Sequence, residues 1–120
     1  MNIPFYFDGD SVTGRFVPDD RLCGFEGVVH GAVIFALADE AMMHLIWAKE
    51  LRAVTADVNI RFHNYAKTGQ ALSVEARIES LSSKLIKGIS TVRDHKNRKI
   101  ATAHGKFLRF TEKGKFEKAF

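Results

Sequence analysis

This sequence of 120 residues has too few cysteines for an intrachain disulfide and no long uninterrupted apolar run. Its single cysteine, Cys23, cannot form an intrachain disulfide, which is typical of a reducing compartment. The segment from Met1 to Asp8 has neither a basic stretch nor a long apolar run, so we expect no signal peptide. No segment reaches the ~18 uninterrupted apolar residues that crossing a bilayer requires. These absences predict a cytoplasmic protein that does not enter a membrane.

Motifs for several classes of chemistry are missing as well. The sequence contains no glycine-rich phosphate loop, no dinucleotide-binding fingerprint and no Gly-x-Ser-x-Gly motif. No second histidine, cysteine or acid stands at ligand spacing from His30, so we predict neither a metal nor a cofactor. His44 follows Asp39 by five residues, about 140° around a helix, so these side chains do not converge. Cys23 has no neighbouring histidine, which disfavours a cysteine nucleophile.

The excess of positive charge is small, with a formal net charge of +4 and a pI of about 9.4. Solvated loops and a solubilising tail explain it, and attraction of an anionic ligand such as a nucleotide phosphate is the alternative. We expect no nucleic-acid partner. Much of the excess comes from Lys96, Arg98, Lys99, Lys113, Lys115 and Lys118.

The length is that of a single domain, and we place its core between about residues 11 and 110. The segment from Gly31 to about Lys49 is apolar almost all round, which predicts a helix buried on most faces. One helix against a series of antiparallel strands indicates an α+β fold. Alternating or apolar patterns predict strands at residues 11–17, 53–65, 71–81, 84–93 and 99–110, with a loop from 18 to 27.

The segment from Gly27 to Glu40 carries most of the functional information. A His30-Gly31 pair opens the helix, and the first N–H groups of a helix have no intrahelical acceptor. Asp39 and Glu40 interrupt the apolar sequence, and a carboxylate there is costly unless it is used or satisfied. Together these features predict an oxyanion donor and a carboxylate base or nucleophile, the parts needed for acyl transfer. An acid pair at a solvated patch of helix is the alternative.

Two sequence blocks resemble small acyl-CoA thioesterases of the phenylacetate-catabolism type. That family has His-Gly-Gly with an acid nine positions after the histidine, and His30 and Asp39 stand at that spacing. Its next block, Val-(Ser/Thr)-x-(Asp/Glu)-x-Asn followed by an aromatic residue, is similar to the sequence from Val54 to Phe62. The resemblance covers about residues 11–110. It implies the hot-dog fold, in which a strongly curved antiparallel sheet wraps one central helix.

The resemblance also implies a role for each matching residue. Gly31 would present its backbone N–H to the thioester oxygen, and His30 would shape the entry to the helix. Asp39 would act as a nucleophile or as a general base on water. Thr55 would help to place the carboxylate or the water. The implied reaction is hydrolysis of an acyl-CoA to a free acid and coenzyme A.

Two positions depart from the family pattern. Ala32 replaces the second glycine, which is tolerable if its backbone is helical. Gly24 stands where these enzymes often have Asn or Gln, so a side-chain amide that would steady the substrate carbonyl is lacking. These departures favour the main alternative, a non-catalytic hot-dog module that binds acyl-CoA or another lipid-like ligand. A hydratase, with a histidine and an acid in one site, is disfavoured by the spacing of His30 and Asp39.

Three cations lie along one predicted strand: Lys84, Lys87 and Arg93. A plain exposed face explains them. The alternative is that they bind the phosphates of coenzyme A, which many hot-dog proteins hold on the outside of the sheet.

The spacing of Gly31 and Asp39 predicts a homodimer. The two residues are eight positions apart, which is about 12 Å along one helix. A reacting carbonyl must lie about 3 Å from its oxyanion donor and about as close to the attacking group. Two antiparallel helices from two subunits can place Gly31 of one beside Asp39 of the other. Pairing of dimers into a tetramer stays open.

Overall fold

The structure is a computed structural model that describes residues 3–110. Lys113, Lys115 and Lys118, part of the predicted basic tail, lie outside the described residues. A short 3-10 turn covers Asp20–Leu22. The helix and strands are β1 (Phe5–Asp8), β2 (Ser11–Phe16), β3 (Cys23–Phe25), β4 (Val28–Val29), α1 (Gly31–Ala48), β5 (Ala53–Phe62), β6 (Leu72–Leu81), β7 (Leu85–Asp94) and β8 (Lys99–Arg109).

Six strands form one antiparallel sheet in the order β1-β2-β6-β7-β8-β5, and β3 pairs with β4 separately. The five long predicted strands and the helix are present, but β1 and the β3–β4 pair were not predicted. β1 lacks alternation, and it is held by pairing with β2 across a turn at Gly9, whose φ is 59°. The described sheet therefore begins before residue 11.

The pairing of β5 differs from a simple series in which each strand pairs with the next one along the chain. β5 pairs with β8 and forms one edge of the sheet, whereas only β6, β7 and β8 follow each other as a meander. Residues 63–71 cross three strand spacings to reach β6, roughly 14 Å, which nine residues span easily. Alternation identifies strands but does not specify which strands pair, so the sequence pattern could not give this order.

Helix α1 is the centre of the core. It contacts all six strands of the sheet. Since six strands span roughly 24 Å and a helix is about 10 Å across, the sheet must curve around α1, which is the hot-dog arrangement. Among the described residues, α1 is the one helix whose length and mean hydropathy of 1.4 would allow a membrane span, but its packing is that of a core helix. Its buried side chains are Ile34, Leu37, Ala38, Ala41, Met42, Leu45 and Ile46.

Two glycines of the sheet make room for this helix. Gly88 and Gly105 lie opposite each other on β7 and β8. A Cβ on Gly88 would lie 3.3 Å from the Met42 Sδ, and one on Gly105 would lie 3.1 Å from the Met42 Cε. The sheet and the helix therefore approach each other closely at these positions, and Met42 occupies the space that both glycines leave.

A β-bulge at Ala56 changes which residues of β5 face the helix. Thr55 pairs with Phe107 and Asp57 with Lys106, so Ala56 has no partner in the register. Because of this extra residue, Thr55 lies on the same face as Val58, which simple alternation placed on the opposite face. Simple alternation along the predicted strand 53–65 therefore fails at its start, and the strand also ends earlier than predicted, at residue 62.

Candidate active site

His30 forms the N-cap of helix α1. Its backbone is extended, with φ −60° and ψ 135°, and its Nδ1 accepts a hydrogen bond of 3.1 Å from the Ala32 N–H. The Val33 N–H donates to the His30 carbonyl at 2.9 Å. The Gly31 N–H has no acceptor among residues 3–110. The first turn therefore leaves the Gly31 N–H available to an oxyanion, as the sequence predicted.

The space around Gly31 does not by itself require glycine. A Cβ there would have Phe62 as its nearest neighbour, with the ring carbon Cζ at an ordinary contact distance of 3.6 Å. The residue is exposed. A methyl group would thus fit the described chain, and only a further molecule approaching the Gly31 backbone would be blocked by it.

Gly24 differs in this respect, because it packs against the N-cap. A Cβ on Gly24 would lie 2.9 Å from the His30 ring carbon Cδ2 and 3.2 Å from the His30 Cα. An Asn or Gln at this position would displace the cap, so the missing amide follows from how the loop packs here. Ala32 is helical in the first turn, which accounts for the other departure from the family pattern.

Asp39 and Thr55 meet between α1 and β5. The Thr55 Oγ1 donates a hydrogen bond of 3.1 Å to the Asp39 Oδ1, and Asp39 is half-buried. Burial raises the pKa of the Asp39 carboxyl, and the hydrogen bond from Thr55 opposes that rise without cancelling it. A raised pKa makes the carboxylate a stronger base towards a bound water molecule. The other carboxylate oxygen, Oδ2, has no partner in the described part of the chain.

The environment of the Glu40 side chain is unusual, although the sequence predicted no chemical role for this residue. Its Oε2 is buried and has no hydrogen-bond partner among the described residues. Its neighbour Asp39 is the acid whose pKa is raised. No signal in the sequence distinguishes the two acids except the spacing from His30.

The structure brings the predicted residues together as two separate pairs. His30 lies beside Gly31 at the start of α1, and Asp39 lies beside Thr55 two turns later. The pairs are separated by about 12 Å along the helix axis, so one chain cannot place both on one carbonyl. Within residues 3–110, no group of three or more His, Cys, Asp or Glu side chains is arranged to hold a metal ion.

A family model described as the thioesterase superfamily matches residues 26–101, more than half of the chain. The chain belongs to the thioesterase superfamily. The matched region contains both site pairs, three complete strands of the main sheet (β5, β6 and β7) and the start of β8. Comparison with curated proteins gave no match.

Solved structures agree with this membership at the level of the fold. A hypothetical thioesterase from Streptococcus pneumoniae TIGR4 with coenzyme A has a TM-score of 0.87 and 14% identity, over 97% of this chain and 89% of that one. The smu.793 protein from Streptococcus mutans UA159, bound to acetyl CoA, has a TM-score of 0.84 and 22% identity, over 98% and 93%. The E. coli PaaI protein from the phenylacetic acid degradation operon has a TM-score of 0.85 and 19% identity, over 89% and 82%.

A cavity of about 440 Å³ opens beside Gly31 in this thioesterase-superfamily domain. Two half-exposed aromatic side chains, Phe62 and Tyr65, form part of its wall, and His63 lies between them in the sequence. Sequence reasoning missed these residues as site components. The available signal was the second family block, which ends at Phe62 and is followed by His63 and Tyr65.

The three predicted cations do not form one cluster. Lys84 precedes β7, while Lys87 and Arg93 lie near opposite ends of that strand, six residues or roughly 20 Å apart. Lys87 lies opposite Lys106, and Arg93 lies opposite Lys99. Their binding of coenzyme A stays a prediction, and a single phosphate site could include only one of the two ends.

Proposed function

We propose that the protein is an acyl-CoA thioesterase that hydrolyses a thioester to a free acid and coenzyme A. The observation that carries the proposal is the hydrogen bond from Thr55 to Asp39. It fixes a half-buried carboxyl with a raised pKa and leaves its second oxygen available. Membership of the thioesterase superfamily supports this choice over other reactions that use a positioned carboxylate.

The reaction follows from the two site pairs. The Gly31 N–H, at the positive end of the α1 dipole, donates to the thioester carbonyl oxygen as negative charge develops there. Asp39 takes a proton from a water molecule whose oxygen attacks the carbonyl carbon, and Thr55 holds the carboxylate in place. The C–S bond then breaks, and the thiolate of coenzyme A takes up the proton. Alternatively, the Asp39 carboxylate attacks the carbonyl carbon directly, the thiolate of coenzyme A leaves, and water hydrolyses the resulting mixed anhydride. The same residues take part in both routes.

Two copies of the chain are needed for this site. Each helix separates Gly31 from Asp39 by about 12 Å, so the donor and the base that act on one carbonyl come from different subunits. The ten-residue β5 is an edge strand, and a long edge with unpaired backbone groups is suited to pairing with a second copy. Phe35 and Trp47 on α1 are 37% and 56% exposed, as expected for apolar side chains that a partner subunit covers.

A panel of aliphatic and aromatic acyl-CoAs, with release of free thiol as the readout, tests the proposal. We expect at least one member of the panel to be hydrolysed, with turnover lost in Asp39→Asn. The absence of turnover across the panel, with protein that is folded and dimeric, contradicts the enzyme proposal.

A non-catalytic acyl-CoA-binding module is the second candidate. The observation that favours it is Gly24, which provides no side-chain amide at the position where the resembling enzymes often have Asn or Gln. This candidate predicts saturable binding of acyl-CoA, measured by calorimetry, with no release of thiol.

A further inference from the structure

Two opposite charges lie on the outer face of the edge strand β5. Asp57 and Arg61 are both exposed and stand two residues before and two residues after Asn59, so all three side chains point to the same face. Neither charged residue makes an ion pair within residues 3–110, although Asp57 lies opposite Lys106 in the register. The strand thus presents a negative and a positive charge at equal distances from Asn59.

Arg61 lies in a part of the surface that lacks negative charge. It lines a cavity of about 430 Å³ together with a second cation, Lys99, and with His63. None of the described residues that line this cavity is acidic. A carboxylate that reached Arg61 from outside the chain would therefore stabilise it through a charge-assisted hydrogen bond.

The backbone of β5 has a side that no described strand covers. The His63 N–H donates a hydrogen bond of 2.8 Å to the Ile100 carbonyl of β8. In an antiparallel ladder, the backbone groups of successive residues point alternately to one side of the strand and to the other. Those of Val58 and Ile60 therefore point away from β8, to the side where the main sheet ends. These groups can pair with one more strand.

Contacts between α1 and β5 locate the symmetry axis of a dimer. Thr55, near the start of β5, donates its hydrogen bond to Asp39, and the Phe62 ring at the end of β5 lies beside Gly31. In the proposed two-subunit site, Gly31 faces the partner's Asp39, so a two-fold axis passes midway between these two positions on α1. The same axis must pass midway between Thr55 and Phe62 on β5.

This midpoint is Asn59. The bulge residue Ala56 takes no part in the register, so seven positions lead from Thr55 to Phe62, and the fourth of them is Asn59. A two-fold axis through Asn59, perpendicular to the sheet, sets β5 antiparallel to the same strand of a second copy. The helices of both copies then lie on the same side of the joined sheet.

Pairing about Asn59 brings opposite charges together twice. Asp57 of each subunit comes to lie opposite the partner's Arg61. On the inner face, Val58 lies opposite the partner's Ile60, and these two residues exchange the backbone hydrogen bonds. The charged pair is then of the non-hydrogen-bonded type, in which the Cα atoms are about 4.5 Å apart and the side chains are closer.

Other registers separate the charges. The axis must pass through a residue and not between two, because it has to place inner side chains opposite inner side chains. An axis through Val58 places Asp57 opposite the partner's Asn59. An axis through Ile60 places Asp57 opposite the partner's His63. Neither alternative joins the two charges.

We propose that two copies of the chain pair along β5 in the register centred on Asn59, with ion pairs between Asp57 of each subunit and the partner's Arg61. The inference rests on the two-subunit site of the proposed function and names the residues that align it. Asp57 and Arg61 are positioning residues, because they set the register that brings Gly31 to the partner's Asp39.

Exchange of the two charges tests the ion pairs. Asp57→Arg and Arg61→Asp each place like charges opposite each other at both pairs, so the dimer Kd from sedimentation should rise at least about tenfold. The double variant restores both pairs in reverse and should return the Kd to near the wild-type value. A mixture of the two single variants should form heterodimers, seen by native mass spectrometry, because their charges are complementary. Lys106→Gln is the control and should leave the Kd unchanged.

Cross-linking tests the register itself. In a Cys23→Ser background, Asn59→Cys places a thiol opposite its own copy at a distance that a disulfide can span. Oxidation should therefore give a covalent dimer on a non-reducing gel. Arg61→Cys is the matched control, because its thiol lies opposite the partner's Asp57 and should stay uncoupled. A covalent dimer from Arg61→Cys but not from Asn59→Cys overturns the proposal, as do single charge variants that associate like the wild type.

These measurements report association and not turnover, so they separate this inference from the proposed function. A Kd restored by charge exchange, in a protein that hydrolyses no acyl-CoA, retains the β5 register and rejects the hydrolase. Hydrolysis by a dimer whose Kd is insensitive to both charges retains the hydrolase and rejects the ion pairs. A wild-type protein that is monomeric and inactive rejects both.

Discussion

The Thr55 hydroxyl reaches the Asp39 carboxylate because a bulge at Ala56 turns the start of β5 towards helix α1. Beyond the bulge, Val58 and Ile60 pack against the core on the same face. A single extra residue therefore gives one strand a polar contact at one end of this face and apolar contacts along the rest. The candidate base is positioned by the main sheet itself rather than by a loop, which favours a fixed geometry.

Asp39→Asn should lower kcat by at least ~10², because it removes the positioned base or nucleophile. The amide oxygen can still accept the hydrogen bond from Thr55, so the variant should stay folded and dimeric. Steady-state kinetics with the best acyl-CoA of the panel measures the effect. Glu40→Gln is the matched control at the adjacent position, and an equal loss in both variants contradicts the assignment of the base to Asp39.

The pH dependence of kcat/KM should follow the ionisation of Asp39. Burial raises the pKa of this carboxyl, so the rate should increase with pH through a value above that of an ordinary aspartate. Thr55→Val removes a hydrogen bond to the charged form, which raises the pKa further and moves the rising limb to higher pH. Thr55→Ser keeps a hydroxyl and should move it less. If the rising limb of the pH profile is unchanged in Thr55→Val, the observed titration is not that of Asp39.

The contribution of Asp39 to the free energy of unfolding should show the opposite pH dependence to the rate, because it should decrease as pH rises. Because the pKa of Asp39 is raised in the folded state, the folded protein holds this proton more tightly than the unfolded chain does. The resulting stabilisation is complete below the unfolded pKa of about 3.9 and is lost as pH rises through the folded pKa. Asn stays neutral, so the Tm of Asp39→Asn minus that of the wild type should increase over this range. Asp8→Asn, at an exposed position, is the control for the loss of one negative charge. If the Tm of Asp39→Asn minus that of the wild type decreases as pH rises, Asp39 is not desolvated in the folded protein.

The sequence was sufficient to predict the helix, the five long strands and the residues that form the two pairs of the candidate site. It was sufficient because apolar alternation and an acid within an apolar helix are local patterns. The pairing of β5 with β8 and the bulge at Ala56 depend on contacts between distant segments. No local pattern specifies such contacts, and the same holds for the cavity that His63 shares with Arg61 and Lys99.

Two glycine substitutions should have opposite effects. Gly31→Ala places a methyl group in open space, with Phe62 at 3.6 Å, so stability should be retained. Turnover should fall by roughly 10², because the methyl group blocks approach of the thioester oxygen to the N–H donor. Gly24→Ala should instead lower the free energy of unfolding by about 1–3 kcal/mol, since its Cβ would lie 2.9 Å from the His30 ring. Thermal unfolding and steady-state kinetics on both variants measure this contrast. An equal loss of stability in Gly31→Ala and Gly24→Ala would contradict it.

Mixing two inactive variants tests whether the site is shared between subunits. A heterodimer of Gly31→Ala and Asp39→Asn chains carries both substitutions in one site and neither in the other. In an equal mixture after subunit exchange, half of the dimers are heterodimers with one intact site, so about a quarter of wild-type activity should return. Each variant mixed with itself is the control and should remain inactive. If Gly31 and Asp39 of the same chain served one site, no combination would restore activity, and the 12 Å separation would have to close by a movement of the helix itself.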